Sequence, residues 1–306
     1  YQEANAVISA TGGSPTTGNA NGGTGGLVQL NATTLSSNGT ISAKGGTGGT
    51  GNCGGSNGYS GSGGTVNITA ASNSINKTKV ITAQGDASAC SPSGAPGLFY
   101  LNGSLDFCGI GDLSTICVVN QKRGILTNTT INGTHLIIQN GGSIAKRTNE
   151  NYALTINLTG NLTVDSGGLI GFQGGVYNIG GVTTMNLTVN AANVSIRGSV
   201  LANGEYVYQA STSGKGGNIT INASTLNISG GGSLSTVGGL LGYDGVAAAG
   251  GNVIVWATSI YHEAGSLISA TGGPSNAFAS NGNGGLIQLN ATIVSSNGTI
   301  QASGGS

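Results

Sequence analysis

The chain has 306 residues, 60 of them glycine and 4 proline, with 6% charged side chains and nine basic groups balancing nine acidic ones. That composition excludes a collagen, which needs glycine at every third position and abundant proline, and a charge-rich disordered chain. Zero net charge leaves no field to gather a nucleic-acid backbone, and no apolar run approaches the ~18 residues of a spanning helix, so neither nucleic acid nor a membrane span is expected.

The opening Tyr1-Gln2-Glu3-Ala4 lacks the basic start and apolar core of a signal peptide, so a leader is expected to have been removed or to lie outside this segment. Residues 25–46 return at 284–305 with 17 of 22 positions identical, and Tyr1-Gln2-Glu3-Ala4 returns as Tyr261-His262-Glu263-Ala264. A superrepeat of about 260 residues begun at 1–46 therefore restarts at 261–306. From about 85 to 125 the pattern blurs; Pro92, Pro96 and three of the four cysteines fall there, and the stretch reads as an irregular, disulfide-bearing excursion.

Residues 154–305 are the clearest. Strand starts at Leu154, Met185, Ile219, Val253 and Ile287 are spaced by 31, 34, 34 and 34 residues. Each repeat has a Gly-Gly turn, an alternating strand such as Asn218-Ile219-Thr220-Ile221-Asn222, an apolar beat near Leu226, another near Leu234, and glycine again. Strict apolar/polar alternation marks a half-buried strand, and no window carries a helical period. Three short strands cannot bury their apolar face alone, but coils stacked at ~4.8 Å pair each strand with its equivalents and close a core. The expectation is an all-β chain forming one parallel β-helix solenoid over 1–306, with three strands per coil. Val, Ile and Leu point inward, Asn, Thr, Ser and Gln outward, and Gly sits where positive φ or close backbone approach is needed. A flexible linker would lack the regular apolar beats.

The cysteines Cys53, Cys90, Cys108 and Cys117 form an even set without C-x-x-C metal spacing, so two disulfides and an oxidising, extracellular compartment are expected. Cys108–Cys117 is the local pair and Cys53–Cys90 closes the rest, one of three connectivities. No metal or other cofactor is expected.

Catalytic candidates are sparse. The acids Glu3, Asp86, Asp106, Asp112, Glu150, Asp165, Glu205, Asp244 and Glu263 are scattered, with Asp106 and Asp112 nearest together. His135 reads as an outward polar residue, and His262 aligns with Gln2 in the other copy, so its imidazole is replaceable. There is no Gly-x-Ser-x-Gly elbow and no Gly-Lys-Ser/Thr phosphate loop. The dyads Lys122-Arg123 and Lys146-Arg147 read as solvated strand ends, and Tyr100, Tyr206, Tyr208, Trp256 and Tyr261 are too dispersed to define a sugar groove.

Asn-x-Ser/Thr does rise above background. The 16 sequons lie at Asn31, Asn38, Asn67, Asn76, Asn102, Asn128, Asn132, Asn157, Asn161, Asn186, Asn193, Asn218, Asn222, Asn227, Asn290 and Asn297, against about 7 for random placement of the same residues. Alternation alone enriches the motif, because Asn at i and Thr at i+2 both face outward around an apolar residue. Such an outward asparagine is also where a glycan attaches, and the ten strand sequons with an apolar or alanine middle residue are expected to carry sugar.

This repeat grammar resembles the pectin-lyase-like right-handed parallel β-helix superfamily and, within it, repetitive surface proteins such as adhesins and archaeal filaments of the hamus type. The resemblance implies a right-handed coil. A structural, non-catalytic extracellular filament or adhesin segment at the cell surface follows as the expected function, with copies of itself as head-to-tail partners and surface glycans as further ones. The alternative is a carbohydrate-active or carbohydrate-binding β-helix.

Overall fold

The computed structural model describes residues 1–15, 20–48, 60–83, 95–146, 151–172, 185–204, 213–239, 246–275 and 280–305. They form parallel β-sheets, with one 3-10 turn at Lys77–Lys79 and no α-helix among the described residues. The chain divides into two compact units, residues 1–111 with 118–125, and residues 112–117 with 126–306.

The first unit holds β1 (Val7–Ser9), β2 (Leu27–Ser37), β3 (Thr40–Ser42), β4 (Thr65–Ile75), β5 (Val80–Ile81), β6 (Leu98–Leu101), β7 (Ser104–Leu105), β8 (Ile110–Gly111), the last two residues of β9 (Ile116–Val119), and β10 (Lys122–Ile125). Strands β1, β3 and β5 pair in parallel, as do β2, β4 and β6; β7 folds back on β6 as an antiparallel hairpin. Alternate residues of these sheets converge on one core of Val28, Ile41, Val66, Ile68, Val80 and Phe99. Each such side chain contributes roughly 1.5–3 kcal/mol by leaving water. Within the stretch expected to be irregular, β6 continues the parallel stack on β4. Its sequence, Leu98-Phe99-Tyr100-Leu101, is four residues long and does not alternate, so it does not stand out from sequence.

The second unit holds β11 (Thr129–Gly133), β12 (His135–Ile138), β13 (Ser143–Lys146), β14 (Tyr152–Leu158), β15 (Asn161–Val164), β16 (Leu169–Phe172), β17 (Met185–Ile196), β18 (Ser199–Ala202), β19 (Ile219–Ile228), β20 (Ser233–Ser235), β21 (Val253–His262), β22 (Leu267–Ser269), β23 (Ile287–Ser296) and β24 (Thr299–Gln301). One sheet stacks β12, β15, β17, β19, β21 and β23, with β11 and β14 joining it through β17; a second stacks β13, β16, β18, β20, β22 and β24. Every pairing registered among these strands is parallel. Two repeats present three separate strands, β11 to β13 and β14 to β16. In later repeats the first two fuse into one long strand, so that β14 and β15 both pair with β17.

Register corrects one sequence-derived spacing. Leu154 pairs with Leu187, not Met185, and Leu187 with Ile219. The asparagine side chains bonded between these strands are accordingly 33 and 32 residues apart, against a register step of 34 from Ile219 to Val253. Met185 is itself buried and inward, two residues earlier on the same parity, which is why it reads as a strand start.

Glycine forms a column of its own. Few glycines have positive φ; Gly217, Gly251 and Gly285 instead form a column in which a Cβ on each would lie 1.8 Å from the carbonyl oxygen of Met185, Gly217 and Gly251 in turn. Their N–H groups donate to Ala202, Thr236 and Ala270 at 2.7–2.8 Å. Backbone packs on backbone here, and only a residue without Cβ fits.

Candidate functional site

Parallel, in-register pairing turns alternation into columns, because residues at equal positions of successive strands share a face. Asn132 of β11, Asn157 of β14, Asn190 of β17 and Asn222 of β19 fall in one such column. Their amides bond in series: Asn157 Nδ2 donates to Asn132 Oδ1 at 2.9 Å, Asn190 Nδ2 to Asn157 Oδ1 at 2.7 Å, and Asn222 Nδ2 to Asn190 Oδ1 at 2.7 Å. The next position is Trp256, 53% exposed, followed by Asn290. Asn290 Nδ2 turns aside to Val255 O at 3.2 Å, and its Oδ1 accepts from Gln288 Nε2 at 3.1 Å. A second column links Asn193 Nδ2 to Asn161 Oδ1 at 3.0 Å. In a third, Asn186, Asn218 and Asn252 accept the backbone N–H of Asn218, Asn252 and Leu286 at 3.0–3.2 Å. Each satisfied amide contributes about 1 kcal/mol, and a one-residue slip would lose a whole column at once.

All 16 sequons lie among the described residues. Asn31, Asn38, Asn102, Asn128, Asn132, Asn161, Asn186, Asn193, Asn218 and Asn297 are exposed; Asn67, Asn76, Asn157, Asn222, Asn227 and Asn290 are half-buried. Asn102 and Asn128 stand apart, with left-handed φ of 51° and 57°. Asn102 and Gly103 make the two-residue loop of the β6–β7 hairpin, both at positive φ, which is the Asn-Gly turn that matches strand twist.

Among the described residues the acids do not gather into a cluster. Asp106 pairs with Lys77 at 2.7 Å and Asp165 with Arg197 at 2.6 Å. The Ser114 hydroxyl, with the Ser114 and Thr115 backbone and the Thr115 hydroxyl, holds the Asp112 carboxyl below its usual range, a turn-forming role. His135 Nδ1 accepts from the Asn161 N–H at 3.0 Å. Among the described residues no three of His, Cys, Asp and Glu gather as a metal-ligand set.

The basic dyads depart from the solvated reading: Arg123 is 1% exposed and Lys146 3%. Arg123 lies over the Phe99 ring at 5.3 Å and donates from Nη1 to Val80 O at 3.1 Å and Thr82 Oγ1 at 3.3 Å. Burial pulls its guanidinium down to about 10, partly offset by Asp106, so it stays charged at neutral pH. The available signal was parity, since Arg123 stands two residues before the buried Ile125 and Lys146 two after the buried Ile144.

Gln2 and His262 occupy equivalent buried positions. Gln2 Oε1 accepts from Ser37 Oγ at 2.6 Å, and His262 Nδ1 faces Ser296 Oγ at 3.0 Å. Cys108 and Cys117 are both buried and disulfide-bonded. Cys53, Cys90, Asp86, Glu150, Glu205, Asp244, Arg147, Tyr206 and Tyr208 lie outside the described residues. No protein family, no characterised protein and no solved structure matches the chain.

Proposed function

We propose that the chain is a structural, non-catalytic segment of an extracellular filament or adhesin, folded as a right-handed parallel β-helix with three strands per coil and dressed in N-linked glycan. The observation that carries this reading is the asparagine column running in register through four successive strands. Amides used to bond one repeat to the next serve stacking, and the described acids are scattered or paired with bases. Disulfide-bonded Cys108 and Cys117 fit an oxidising compartment. No helix among the described residues is long and apolar enough to cross a membrane.

Assembly end to end, whether within a longer chain or between copies, is the same physics continued. Val294 and Ile300 are 49% and 44% exposed, while their partners one repeat earlier, Ile260 and Ile268, are fully buried. Another repeat stacked on β23 and β24 would cover them, giving a heterologous, non-closing contact and hence a fibre. About eight coils at ~4.8 Å advance one superrepeat by roughly 35–40 Å. Electron microscopy of native material is expected to show thin fibres with that axial repeat or a multiple of it; compact, capped particles would overturn the proposal. Thiol labelling of unfolded, unreduced protein is expected to find no free cysteine.

A carbohydrate-binding role has one observation in its favour, the exposed Trp256 between Asn222 and Asn290, with Tyr261 also exposed on the same strand. Affinity electrophoresis in polysaccharide gels tests it: retardation lost in Trp256→Ala would support that role, and equal mobility would remove it.

A further inference from the structure

Resting on the glycoprotein reading, we propose that sugar is carried at the turn sequons Asn102 and Asn128, and that Asn157, Asn193 and Asn222 stay bare because a ring on an amide bonded across the ~4.8 Å between strands would collide with the neighbouring side chains. Attachment joins Asn Nδ2 to the anomeric carbon of a sugar supplied as a glycosyl diphosphate. The carbon–oxygen bond to the diphosphate breaks, its electron pair leaves with the diphosphate, and Nδ2 loses one proton. The product nitrogen keeps a single N–H and carries a ring.

The two classes of asparagine meet this demand differently. Asn157, Asn193 and Asn222 each donate from Nδ2 to the next asparagine oxygen at 2.7–3.0 Å. Asn157 has a rung on both sides, Asn132 and Asn190, at the ~4.8 Å spacing of adjacent strands. A ring on its nitrogen would lie where one of those amides stands. Asn102 is arranged oppositely. Its Oδ1 accepts the Ala70 N–H at 2.9 Å, which anchors the carbonyl, while the exposed residue sits at the tip of a hairpin loop. Asn128 is exposed beside a turn closed by Thr129 Oγ1 on Leu126 O at 2.7 Å, and the hydroxyl residue of its sequon, Thr130, is exposed as well. Asn102 docks on β4 through its carbonyl oxygen, and both turn asparagines are exposed at left-handed φ, so a substituent on Nδ2 meets solvent.

Proteolysis of native protein followed by electron-transfer mass spectrometry of the glycopeptides reads every sequon separately. The expected result is sugar at Asn102 or Asn128, or both, with Asn157, Asn193 and Asn222 unmodified; Asn102→Gln and Asn128→Gln together then remove the corresponding mass. Sugar on any of those three strand asparagines, or none at both turns with sugar elsewhere, overturns the assignment and leaves the glycoprotein reading standing. Unmodified mass at every sequon peptide of the native protein overturns both.

Discussion

Residues 25–46 and 284–305 are nearly the same sequence in two settings, and their burial differs sharply. Ile41 in the first copy is fully buried, while its counterpart Ile300 is 44% exposed; Val28 is 5% exposed, whereas its counterpart Ile287 is only half-buried. Strand β4 lies in register along β2 in the first copy, and β21 lies along β23 in the second. One copy is therefore described with a following neighbour and the other with a preceding one. Inward parity is written in each strand, but burial is conferred by the strand stacked on it, as the one-dimensional physics of repeats requires.

The largest expected contrast is at glycine. A Cβ on Gly285 would lie 1.8 Å from Gly251 O, whereas on the equivalent Gly26 it would meet nothing nearer than the Ala10 methyl at 3.2 Å. Gly285→Ala is expected to destabilise by roughly 3 kcal/mol or more and Gly26→Ala by under about 1, read by denaturant melts. Equal losses would break the comparison.

Next come the isoleucines. Ile41→Ala should cost about 2–5 kcal/mol as a cavity-forming change, and Ile300→Ala about 1 kcal/mol or less in the dispersed chain. If β24 is an assembly face, Ile300→Ala should in addition raise the concentration at which fibres appear.

The equivalent residues Gln2 and His262 differ in their response to pH. Gln2 Nε2 donates to Ala6 O at 3.0 Å and Thr40 O at 3.1 Å, while His262 Nε2 is buried without a partner. His262→Gln should therefore stabilise by about 1 kcal/mol at neutral pH. Burial lowers the His262 pKa below 6.5, with the Ser266 backbone opposing, so the folded state holds a neutral ring. As pH falls through 6.5 the unfolded chain binds the proton first; the stabilisation is complete above that pH and declines toward the lower folded-state value. Melts at pH 7.5 and pH 5 should show this decline in the native chain and its loss in His262→Gln. The smallest contrast is Asn290→Ala, which removes two hydrogen bonds and should cost about 1 kcal/mol, against almost nothing for the exposed Asn31→Ala.

Much of this architecture was legible beforehand. Alternation in Asn218–Asn222 and the beats at Leu226 and Leu234 match buried Ile219, Ile221, Leu226 and Leu234. What alternation cannot carry is register: Met185 and Leu187 share parity, so only pairing decides which aligns with Ile219. Nor does it reveal an inward cation: the charge of Arg123 suggests solvent, while its position two residues from Ile125 puts it in the core. The asparagine columns were half visible, as outward Asn recurring at strand period, but amide-to-amide bonding needs the spacing that only stacked strands supply. Backbone packed on backbone at Gly217, Gly251 and Gly285 is legible as the Gly-Gly that opens each repeat, but the carbonyl each one meets is fixed only by register.

The proposed fibre requires stacked parallel strands to continue beyond β23. X-ray diffraction from aligned native material tests it most directly. Stacked coils should give a meridional reflection near 4.8 Å, from strands perpendicular to the fibre axis, together with a long axial repeat of roughly 35–40 Å or a multiple. Diffraction lacking the meridional 4.8 Å spacing, or native material that will not align because it is made of compact particles, would contradict it.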